Sequence, residues 1–568
     1  MRKYKLLFLL LAITFSCQSP EPKYLDSFDY KPTKKLEAKK AAVVSVHPLA
    51  SEVGKYILKK GGNAIDAAIA MQYALAVIYP GAGNLGGGGF MVIHKAGGWS
   101  TSIDYREKAP IASLEDMYLD DQGEAITSLS RDGHLASGVP GTVAGLFLAH
   151  ESYGKLRMQE LIQPAIDLAR QGFVLSARQV NRFNAVQQDL KDLNTQATVL
   201  YKEGGWHLGD TLVQEDLSYT LERIQKAGRK GFYEGKTAEL IVEEMQRGGG
   251  IITLEDLKEY KAVEREPHAF TYKDYKIVTM GLPSSGGMML QQMFGMLEDY
   301  PIRRYGYGSV PAVQLMTEIE RRAFADRTEY LGDPAFVDVP IGQLTNKAYL
   351  KQRMADYTPE GPTSSDAIGP GLLVMSEKEE TTHISVADED GNAVSVTVTL
   401  NGAFGNRVMV GGAGFLLNNE MDDFSARPGT PNYFGLLGTE ANKIAPQKRM
   451  LSSMTPTIVL KEDKPYLVLG TPGGSTIITT VFQTLVNLLE FELPVDESIN
   501  LPIFHHQWKP DQVDVEAGFP QATIKRMEAM GYTFQERNFV GGTEVIKITE
   551  KGIEAVGDKR GDDSAAGF

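Results

Sequence analysis

Two short stretches of the chain alternate between apolar and polar positions, which is the pattern of a β-strand with one buried face. They run from Ile384 to Asp388 and from Ala393 to Thr399. The residues between them, Glu389-Asp390-Gly391-Asn392, contain an Asp-Gly pair, a strong signal for a β-hairpin. Counting this loop as two residues or as four gives the same register, and that register predicts Thr382 opposite Thr399.

Apolar residues recur at helical spacing through much of the chain between Gly138 and Tyr357. This spacing predicts six helices, at Gln159–Arg170, Leu217–Ala227, Thr237–Arg247, Leu254–Tyr260, Gly286–Leu297 and Val310–Tyr330. Further strands are predicted at Ala42–Val46, around Ala269–Met280, at Thr457–Leu460 and at Tyr466–Leu469.

The stretch from Asn63 to Ile78 predicts a buried helix, because nearly all of its positions are apolar. Asn63 is a favourable N-cap residue, and the carboxylate of Asp66 suits the positive end of the helix dipole.

Length and composition limit the possible classes of protein. A chain of 568 residues predicts about two to four domains or one large composite fold. Its 58 glycines are about one residue in ten, which indicates many tight turns and close backbone approaches. A net charge of -14 argues against a nucleic-acid partner. The only adjacent histidine pair is His505-His506, and no spacing of His and Cys suggests a metal, so we expect neither metal nor cofactor.

Residues 1–17 have the pattern of a targeting segment, with three basic residues among the first five and a short apolar run. They resemble a bacterial lipoprotein signal in which Cys17, the single cysteine, is lipidated; an ordinary signal peptide cut nearby is the alternative. Residues 18–40 are rich in Pro and Lys and are expected to be a tether. These features predict an exported bacterial protein, periplasmic or anchored at the outer membrane.

Thr381 is a candidate nucleophile at the start of the predicted hairpin. A threonine hydroxyl needs a base, and an α-amino group with a pKa of roughly 7.7–8.0 can serve once the chain is cut just before the threonine. Our hypothesis is therefore a break between Glu380 and Thr381. The alternative is that Thr381-Thr382 only begins a strand, where threonine is common.

Two glycine-rich stretches have different expected roles. Residues 83–89 lack the Lys-Ser/Thr of a phosphate loop, so we expect close backbone packing beside a site rather than nucleotide binding. Gly470–Ser475 enters a helix predicted at Thr476–Leu489, where backbone N–H groups could form an oxyanion hole. An ordinary strand-to-helix turn is the alternative.

Charged residues suggest where a substrate could bind. Arg106 lies at a strand end and is a candidate partner for a carboxylate, although this residue taken in isolation favours a surface ion pair with Glu107 or Asp104. Glu420, Asp422 and Asp423 lack the spacing of a calcium loop and could hold an ammonium group or simply be solvated. Residues 426–448 show neither helical nor strand periodicity, and this pattern predicts a surface loop or lid.

Nine motifs occur in order along the chain: G-G-N-A-I-D-A-A at 61–68, G-N-L-G-G-G-G-F at 83–90, residues 104–110, T-T-H-I-S at 381–385, D-G-N-A-V at 390–394, T-L-N at 399–401, N-N-E-M-D-D-F at 418–424, L-S-S-M-T-P-T at 451–457 and P-G-G-S at 472–475. Together they resemble the γ-glutamyltransferases (glutathione hydrolases) of the N-terminal nucleophile superfamily, from about Ala42 to the C-terminus.

The resemblance implies an α+β fold, a four-layer αββα sandwich built from two intertwined subunits. It implies self-cleavage at Glu380-Thr381 into a large subunit, residues 41–380, and a small catalytic subunit, residues 381–568. The implied substrates are glutathione and other γ-glutamyl peptides, with water, amino acids or dipeptides as acceptors.

Roles follow by position from the same resemblance. Thr381 is the nucleophile, Thr399 orients it, and the N–H groups of Gly473 and Gly474 hold the oxyanion. Direct contact of Thr399 with Thr381 needs a bulge or twist in the predicted register. The implied ligands of the substrate α-carboxylate are Arg106, Ser452 and Ser453, and those of its α-ammonium are Asn401, Glu420 and Asp423. The lid position that is often tyrosine aligns with Phe434, next to Tyr433.

Two other functions are compatible with the sequence. A relative acting on another acyl group, such as a cephalosporin acylase or a poly-γ-glutamate transpeptidase, would use the same nucleophile, and activity on glutaryl amides would favour it. A non-catalytic lipoprotein that binds γ-glutamyl peptides would retain the scaffold, but it would have no need of Thr381, Thr399 and the Gly473-Gly474 turn.

Overall fold

The computed structural model describes residues 25–368, 381–427, 429–432 and 435–568. The strands in these ranges are β1 Lys35–Ala38, β2 Ala42–Ser45, β3 Gly88–Lys95, β4 Trp99–Asp104, β5 Phe173–Val174, β6 Thr211–Leu212, β7 Val263–Arg265, β8 His268–Tyr272, β9 Tyr275–Thr279, β10 Thr381–Ala387, β11 Ala393–Thr399, β12 Thr457–Lys461, β13 Lys464–Gly470, β14 Phe504–His505, β15 Val513–Glu516, β16 Phe534–Arg537, β17 Glu544–Thr549, β18 Gly552–Val556 and β19 Ser564–Gly567.

The α-helices are α1 Pro48–Lys59, α2 Ala64–Ile78, α3 Thr127–Arg131, α4 Thr142–Tyr153, α5 Met158–Gln171, α6 Ala177–Ala185, α7 Gln187–Leu193, α8 Glu215–Ala227, α9 Lys230–Tyr233, α10 Gly235–Gly248, α11 Leu254–Glu259, α12 Gly286–Leu297, α13 Ile302–Tyr305, α14 Val310–Tyr330, α15 Ile341–Leu344, α16 Lys347–Arg353, α17 Ser365–Ile368, α18 Thr476–Leu489, α19 Val495–Asn500 and α20 Gln521–Ala529. Short 3₁₀ helices occur at His134–Ala136, Glu420–Asp423 and Glu440–Asn442.

Two seven-stranded antiparallel sheets stack face to face between two layers of helices. Their strand orders are β1-β18-β17-β13-β12-β9-β8 and β19-β2-β10-β11-β3-β4-β7. One apolar core lies between the second sheet and helices that include α1, α2, α4 and α5. The other core fills the space between the sheets and extends to α12, α14 and α18. The expected four-layer αββα arrangement is confirmed.

Each sheet combines strands from both sides of Thr381. The first takes β1, β8 and β9 from before this residue and four strands from after it. In the second, β10 pairs with β2 on one side and with β11 on the other. The two parts of the chain therefore share both sheets and could not be separated without breaking strand ladders in each.

The hairpin forms as expected, but its predicted register is wrong by one residue. Thr381 lies opposite Thr399, and Ala387 lies opposite Ala393. Five residues rather than four join the strands, because Asp388 turns into the loop and accepts hydrogen bonds from the N–H groups of Asp390 (3.1 Å) and Asn392 (2.9 Å). Gly391 has a φ of 90°, a left-handed conformation that glycine adopts without strain.

The helix predictions agree well with the structure. Gly286–Leu297, Val310–Tyr330 and Thr476–Leu489 have the predicted bounds. Helix α2 is buried throughout and begins with a capping box, in which Asn63 Oδ1 accepts from Asp66 N at 2.9 Å and Asp66 Oδ2 accepts from Asn63 N at 3.0 Å.

The end of the expected tether belongs to the fold. Residues 35–38 pair with β18 as an edge strand, and Lys34 Nζ donates hydrogen bonds of 2.7–2.9 Å to three backbone carbonyls between Asp558 and Asp563. The sequence prediction of a tether through residue 40 was wrong here, because the pairing partner lies more than 500 residues away and leaves no local signal. In the described part of the chain, no helix has the length and apolar character needed to cross a membrane.

Loss of the Asp388 side chain is expected to weaken the hairpin. Besides its loop contacts, Asp388 Oδ2 accepts from the N–H of Ala64 at 2.8 Å and so joins the loop to the start of α2. Asp388→Ala leaves three backbone N–H groups without their acceptor and should lower the free energy of unfolding by about 2–4 kcal/mol in urea denaturation. Exposed Glu389→Ala is the control, with an expected change below about 0.5 kcal/mol. Equal effects of the two changes would contradict this role.

Candidate active site

Thr381 begins the central strand β10 and is only 5% exposed. Its partner across the ladder is Thr399, so no bulge is needed to bring the two threonines together. Thr399 Oγ1 accepts a hydrogen bond of 2.7 Å from the N–H of Asn401. Asn401 has a φ of 74°, and its Nδ2 donates to the carbonyl of Asn419 at 3.0 Å. This turn joins the hairpin to the acidic 3₁₀ helix.

Contacts between the two sheets indicate where Thr381 lies relative to the Gly473-Gly474 turn. Ser385 Oγ donates to the carbonyl of Val468 at 3.3 Å. Two residues earlier on β10, the ring of His383 packs so closely on Gly470 that a Cβ at Gly470 would lie 2.2 Å from it. Moving two residues towards the N-terminus of β10 therefore corresponds to moving two residues towards the C-terminus of β13. Continued for two more residues, this correspondence predicts that Thr381 lies near Pro472, next to the Gly473-Gly474 turn.

Gly473 and Gly474 form a buried turn between β13 and α18. Their φ values of 131° and 46° are positive, and 131° in particular favours glycine. The carbonyl of Gly473 accepts from the N–H of Thr476 at 2.9 Å. Neither glycine N–H donates to an acceptor within the described ranges, as is usual at a helix start, so both remain available to an anion.

The glycines of residues 83–89 permit close backbone packing, as the sequence predicts. A Cβ at Gly87 would lie 2.2 Å from the carbonyl oxygen of Thr399, and one at Gly88 would lie 2.5 Å from Glu107 Oε2. Side chains at these positions would displace the strand that carries Thr399 and the carboxyl group of Glu107.

Arg106 is 1% exposed and is not part of a surface ion pair. Its guanidinium forms ion pairs with Glu420 and Asp423, and Glu107 Oε2 lies 3.7 Å from Nη1. Asp104 instead pairs with other arginines. The groups that the resemblance assigns to a carboxylate and to an ammonium are therefore paired with each other. Such an adjacent arrangement of opposite charges is complementary to a zwitterionic amino-acid head group.

Burial shifts the ionisation of this cluster. Burial raises the pKa of Glu420 well above its ordinary value and raises that of Asp423, although Arg106 opposes both shifts. Burial also raises the pKa of Glu107 to about 8, again against the effect of Arg106. For Arg106, burial lowers the pKa, but the nearby carboxylates outweigh it and leave the net pKa raised. The guanidinium thus stays charged, while proton uptake is favoured at its partners.

Ser452 and Ser453 follow two residues whose carbonyls accept from Arg106 at 3.3 Å. The carbonyl of Ser452 accepts from both the N–H (2.8 Å) and the Oγ (2.7 Å) of Ser285, at the start of α12. Ser453 Oγ accepts from Arg327 Nη2 at 3.2 Å. Ser285 at the start of α12 and Arg327 in α14 therefore hold the two serines in place.

Part of the expected lid adjoins this cluster. Asn432 Nδ2 donates to Asp423 Oδ1 at 3.1 Å, and the N–H of Ser425 donates to the carbonyl of Asn442 at 2.9 Å. The predictions for Tyr433 and Phe434, for Glu380 and for Cys17 lie outside the described residues. Within the described ranges, no group of three or more His, Cys, Asp or Glu side chains could hold a metal ion.

The sequence analysis missed two residues of the site, Arg327 and His383. Arg327 lies in a helix segment that resembles an exposed charged face, so only tertiary packing reveals its burial. His383 is fully buried, its Nδ1 lies 2.9 Å from Thr397 Oγ1, and burial lowers its pKa to about 3. His383 is therefore a neutral side chain of β10 that packs against Gly470.

The fold and the buried threonine at the start of a central strand define the class of N-terminal nucleophile hydrolases. A cephalosporin acylase from Bacillus halodurans has the same fold, with a TM-score of 0.84 over 98% of this chain and 99% of that chain at 24% identity.

Within that class, the chain belongs to the gamma-glutamyltranspeptidase family, whose model matches residues 50–568. It is 48% identical over 544 residues to the glutathione hydrolase proenzyme of Escherichia coli K12, covering 94% of this chain and 93% of the relative. The corresponding proenzyme of Pseudomonas aeruginosa is 45% identical, with 92% and 93% covered. The solved gamma-glutamyltranspeptidase of Helicobacter pylori is 44% identical with a TM-score of 0.57, over 61% of this chain and 99% of that chain. The resemblance stated from the motifs is confirmed.

Glu107 is expected to make the protein less stable as the pH rises. The carboxyl group of Glu107 has a raised pKa of about 8 in the folded protein, whereas in the unfolded chain its pKa is roughly 4.3. Between these values the folded protein holds a proton that the unfolded chain has released, so the free energy of unfolding falls as the pH rises through the pKa of the folded state. In calorimetry, Glu107→Gln should reduce the fall in unfolding temperature between about pH 5.5 and 8.5 by roughly 1–3 °C. Exposed Glu151→Gln should leave that fall unchanged, and the same fall in wild type and Glu107→Gln would contradict the shift.

Proposed function

We propose that this member of the family is a self-processing γ-glutamyltransferase and glutathione hydrolase with Thr381 as its nucleophile. One observation carries the proposal: a buried threonine begins a central strand, directly opposite Thr399. The contacts between the two sheets support a position of this threonine near the Gly473-Gly474 turn. The paired charges around Arg106 support a substrate with both an α-carboxylate and an α-ammonium.

Maturation is a cut between Glu380 and Thr381. The Thr381 hydroxyl attacks the Glu380 carbonyl carbon, the peptide C–N bond breaks, and water hydrolyses the resulting ester to leave a free α-amine on Thr381. Two relatives that are named as proenzymes, those of Escherichia coli and Pseudomonas aeruginosa, support processing. The mixed sheets support a product in which residues 41–380 and 381–568 stay together as a heterodimer.

In the mature enzyme, the α-amine of Thr381 takes the hydroxyl proton as the oxygen attacks the γ-glutamyl carbonyl. The oxyanion accepts from the N–H groups of Gly473 and Gly474. The amide C–N bond then breaks, the amine returns the proton to the leaving group, and a γ-glutamyl ester of Thr381 remains. Water releases glutamate, while an amino acid or dipeptide acceptor takes the γ-glutamyl group.

Recognition of the glutamyl head group uses the two halves of the charged cluster. Arg106, Ser452 and Ser453 bind the α-carboxylate, whereas Asn401, Glu420 and Asp423 bind the α-ammonium. Binding exchanges the ion pairs within the protein for ion pairs with the zwitterion, so no isolated charge is left buried. Tyr433 or Phe434 is the aromatic residue of the lid.

The location of the enzyme is also a proposal. The pattern of residues 1–17 supports export with Cys17 as a lipid attachment site, in a bacterial periplasm or at its outer membrane.

An acylase is the second candidate, because the acylase ACY 1 proenzyme of a Pseudomonas strain is 36% identical over 530 residues. The higher identity to glutathione hydrolase proenzymes favours γ-glutamyl donors. So does the intact acidic half of the cluster, which a glutaryl group, having no α-ammonium, would leave unpaired.

Thr381→Ala is expected to abolish self-cleavage. Wild-type protein should give two bands on a denaturing gel and a fragment whose N-terminal sequence begins at Thr381, whereas the variant should remain a single chain. The adjacent Thr382→Ala retains the proposed nucleophile and serves as the matched control, with two bands expected. A fragment beginning at residue 381 in the Thr381→Ala protein would refute the nucleophile.

Asp423→Asn is expected to weaken the binding of γ-glutamyl donors without preventing self-cleavage. Removal of one charge-assisted contact to the ammonium should lower kcat/KM by roughly 10- to 100-fold, mainly through KM. Asp422→Asn is the control, because this neighbouring carboxylate contacts Ser130 and not Arg106. Steady-state hydrolysis of a γ-glutamyl anilide measures both, and equal losses in the two variants would contradict the assignment.

A further inference from the structure

Arg327 is a buried cation that has no counter-ion beside it in the described part of the chain. Its side chain comes from the last turns of α14, and the residue is 4% exposed. Among the residues described, no carboxylate oxygen lies within ion-pair distance of this guanidinium, although the charge of Asp423 acts on it from farther away. An uncompensated buried charge is costly, so a functional use or a bound anion is the expected compensation.

The hydrogen bonds of Arg327 lead to both serines of the candidate carboxylate site. Nη2 donates to Ser453 Oγ at 3.2 Å, and Nε donates to Ser285 Oγ at 3.0 Å. Ser285 Oγ in turn donates to the carbonyl of Ser452 at 2.7 Å. One guanidinium therefore holds Ser453 directly and Ser452 through one intermediate.

These contacts set the direction of the serine hydroxyl groups. Ser453 Oγ accepts from Arg327, and Ser452 Oγ accepts from the N–H of Met454 at 3.1 Å. A hydroxyl whose oxygen is engaged as an acceptor by N–H donors still has one hydrogen to donate. Neither hydroxyl donates to an acceptor in the described part of the chain, so two O–H donors remain for an incoming group, and a carboxylate has acceptors for both.

The positive charge of Arg327 also favours the binding of a carboxylate near the two serines. The guanidinium of Arg106 is already engaged by Glu420 and Asp423, so only part of its positive charge is available to an approaching carboxylate. Arg327 provides a second positive charge behind Ser453, and no carboxylate of the described residues lies within ion-pair distance of it. Attraction by Arg327 therefore adds to the attraction by Arg106.

We propose that Arg327 is a positioning residue for the α-carboxylate of the γ-glutamyl donor: it fixes the Ser453 hydroxyl as a donor, holds the backbone of Ser452 through Ser285, and supplies the second positive charge of the pocket. This inference rests on the proposed function. It assigns to Arg327 no contact with the reacting atoms.

The test compares two donors that differ only in the α-carboxylate, a γ-glutamyl anilide and the corresponding 4-aminobutanoyl anilide. Arg327→Met removes the charge and both N–H donors. For the γ-glutamyl donor, kcat/KM should fall roughly 10- to 100-fold, mainly through KM, and for the descarboxy donor by less than about threefold. Arg327→Lys keeps the charge and should recover part of the loss.

Arg321→Met is the matched control, because Arg321 is a buried arginine of the same helix whose partners are Glu318, Ser365 and Asp511. It should not alter the ratio of kcat/KM between the two donors. An equal fall for both donors in Arg327→Met, or no fall in either, would overturn the proposal. If Arg327→Met fails to fold or to self-cleave, the donor ratio of Arg327→Lys decides, with a ratio unchanged from wild type overturning the proposal.

The proposed function fails in a different way from this inference. If wild-type protein is uncut and turns over neither donor, the proposed function is wrong. If it is cut and active on the γ-glutamyl donor while the donor ratio does not respond to Arg327, only the role of Arg327 is wrong.

Discussion

The pairing of β10 with β11 at the centre of one sheet is the constraint on which the site depends. Every position of both strands is buried, with β2 and β3 on the outer edges of the pair and an apolar core on either face. A strand enclosed in this way cannot shift its register without moving every side chain to the opposite face. Thr381 is therefore held at a fixed height opposite Thr399, although it is the first residue of its strand.

Electrostatics constrain the site in a second way. Arg106, Glu420 and Glu107 are buried and the side chain of Asp423 is 11% exposed, and such a group is tolerated only because its members pair with one another. In the function that we propose, the same pairing makes the pocket selective. A ligand with a single charge would pair with one side of the cluster and leave the opposite charge of the protein unpaired, whereas a zwitterion pairs with both. The proposed selectivity for an amino-acid head group then follows from the cost of a buried, unpaired charge.

The parts of this structure that depend on local patterns could be predicted from the sequence. The capping box of α2 and the bounds of α12, α14 and α18 follow from apolar spacing and cap residues that lie close together in the chain. The hairpin register could not, because a single hydrogen-bonded side chain, that of Asp388, adds a residue to the loop. Arg327 was missed because its burial depends on segments more than 100 residues away.

The order of folding and processing follows from where the site residues lie in the chain. Arg106 and Arg327 precede the cut that we propose, and Thr399, Asp423 and Ser453 follow it, while both sheets contain strands from each side. Neither part alone can complete a sheet, so its strand edges and apolar face would be exposed. The proposed approach of Thr381 to the Gly473-Gly474 turn requires that both sheets have stacked. In the mechanism that we propose, self-cleavage therefore follows folding, and the unfolded chain remains uncut.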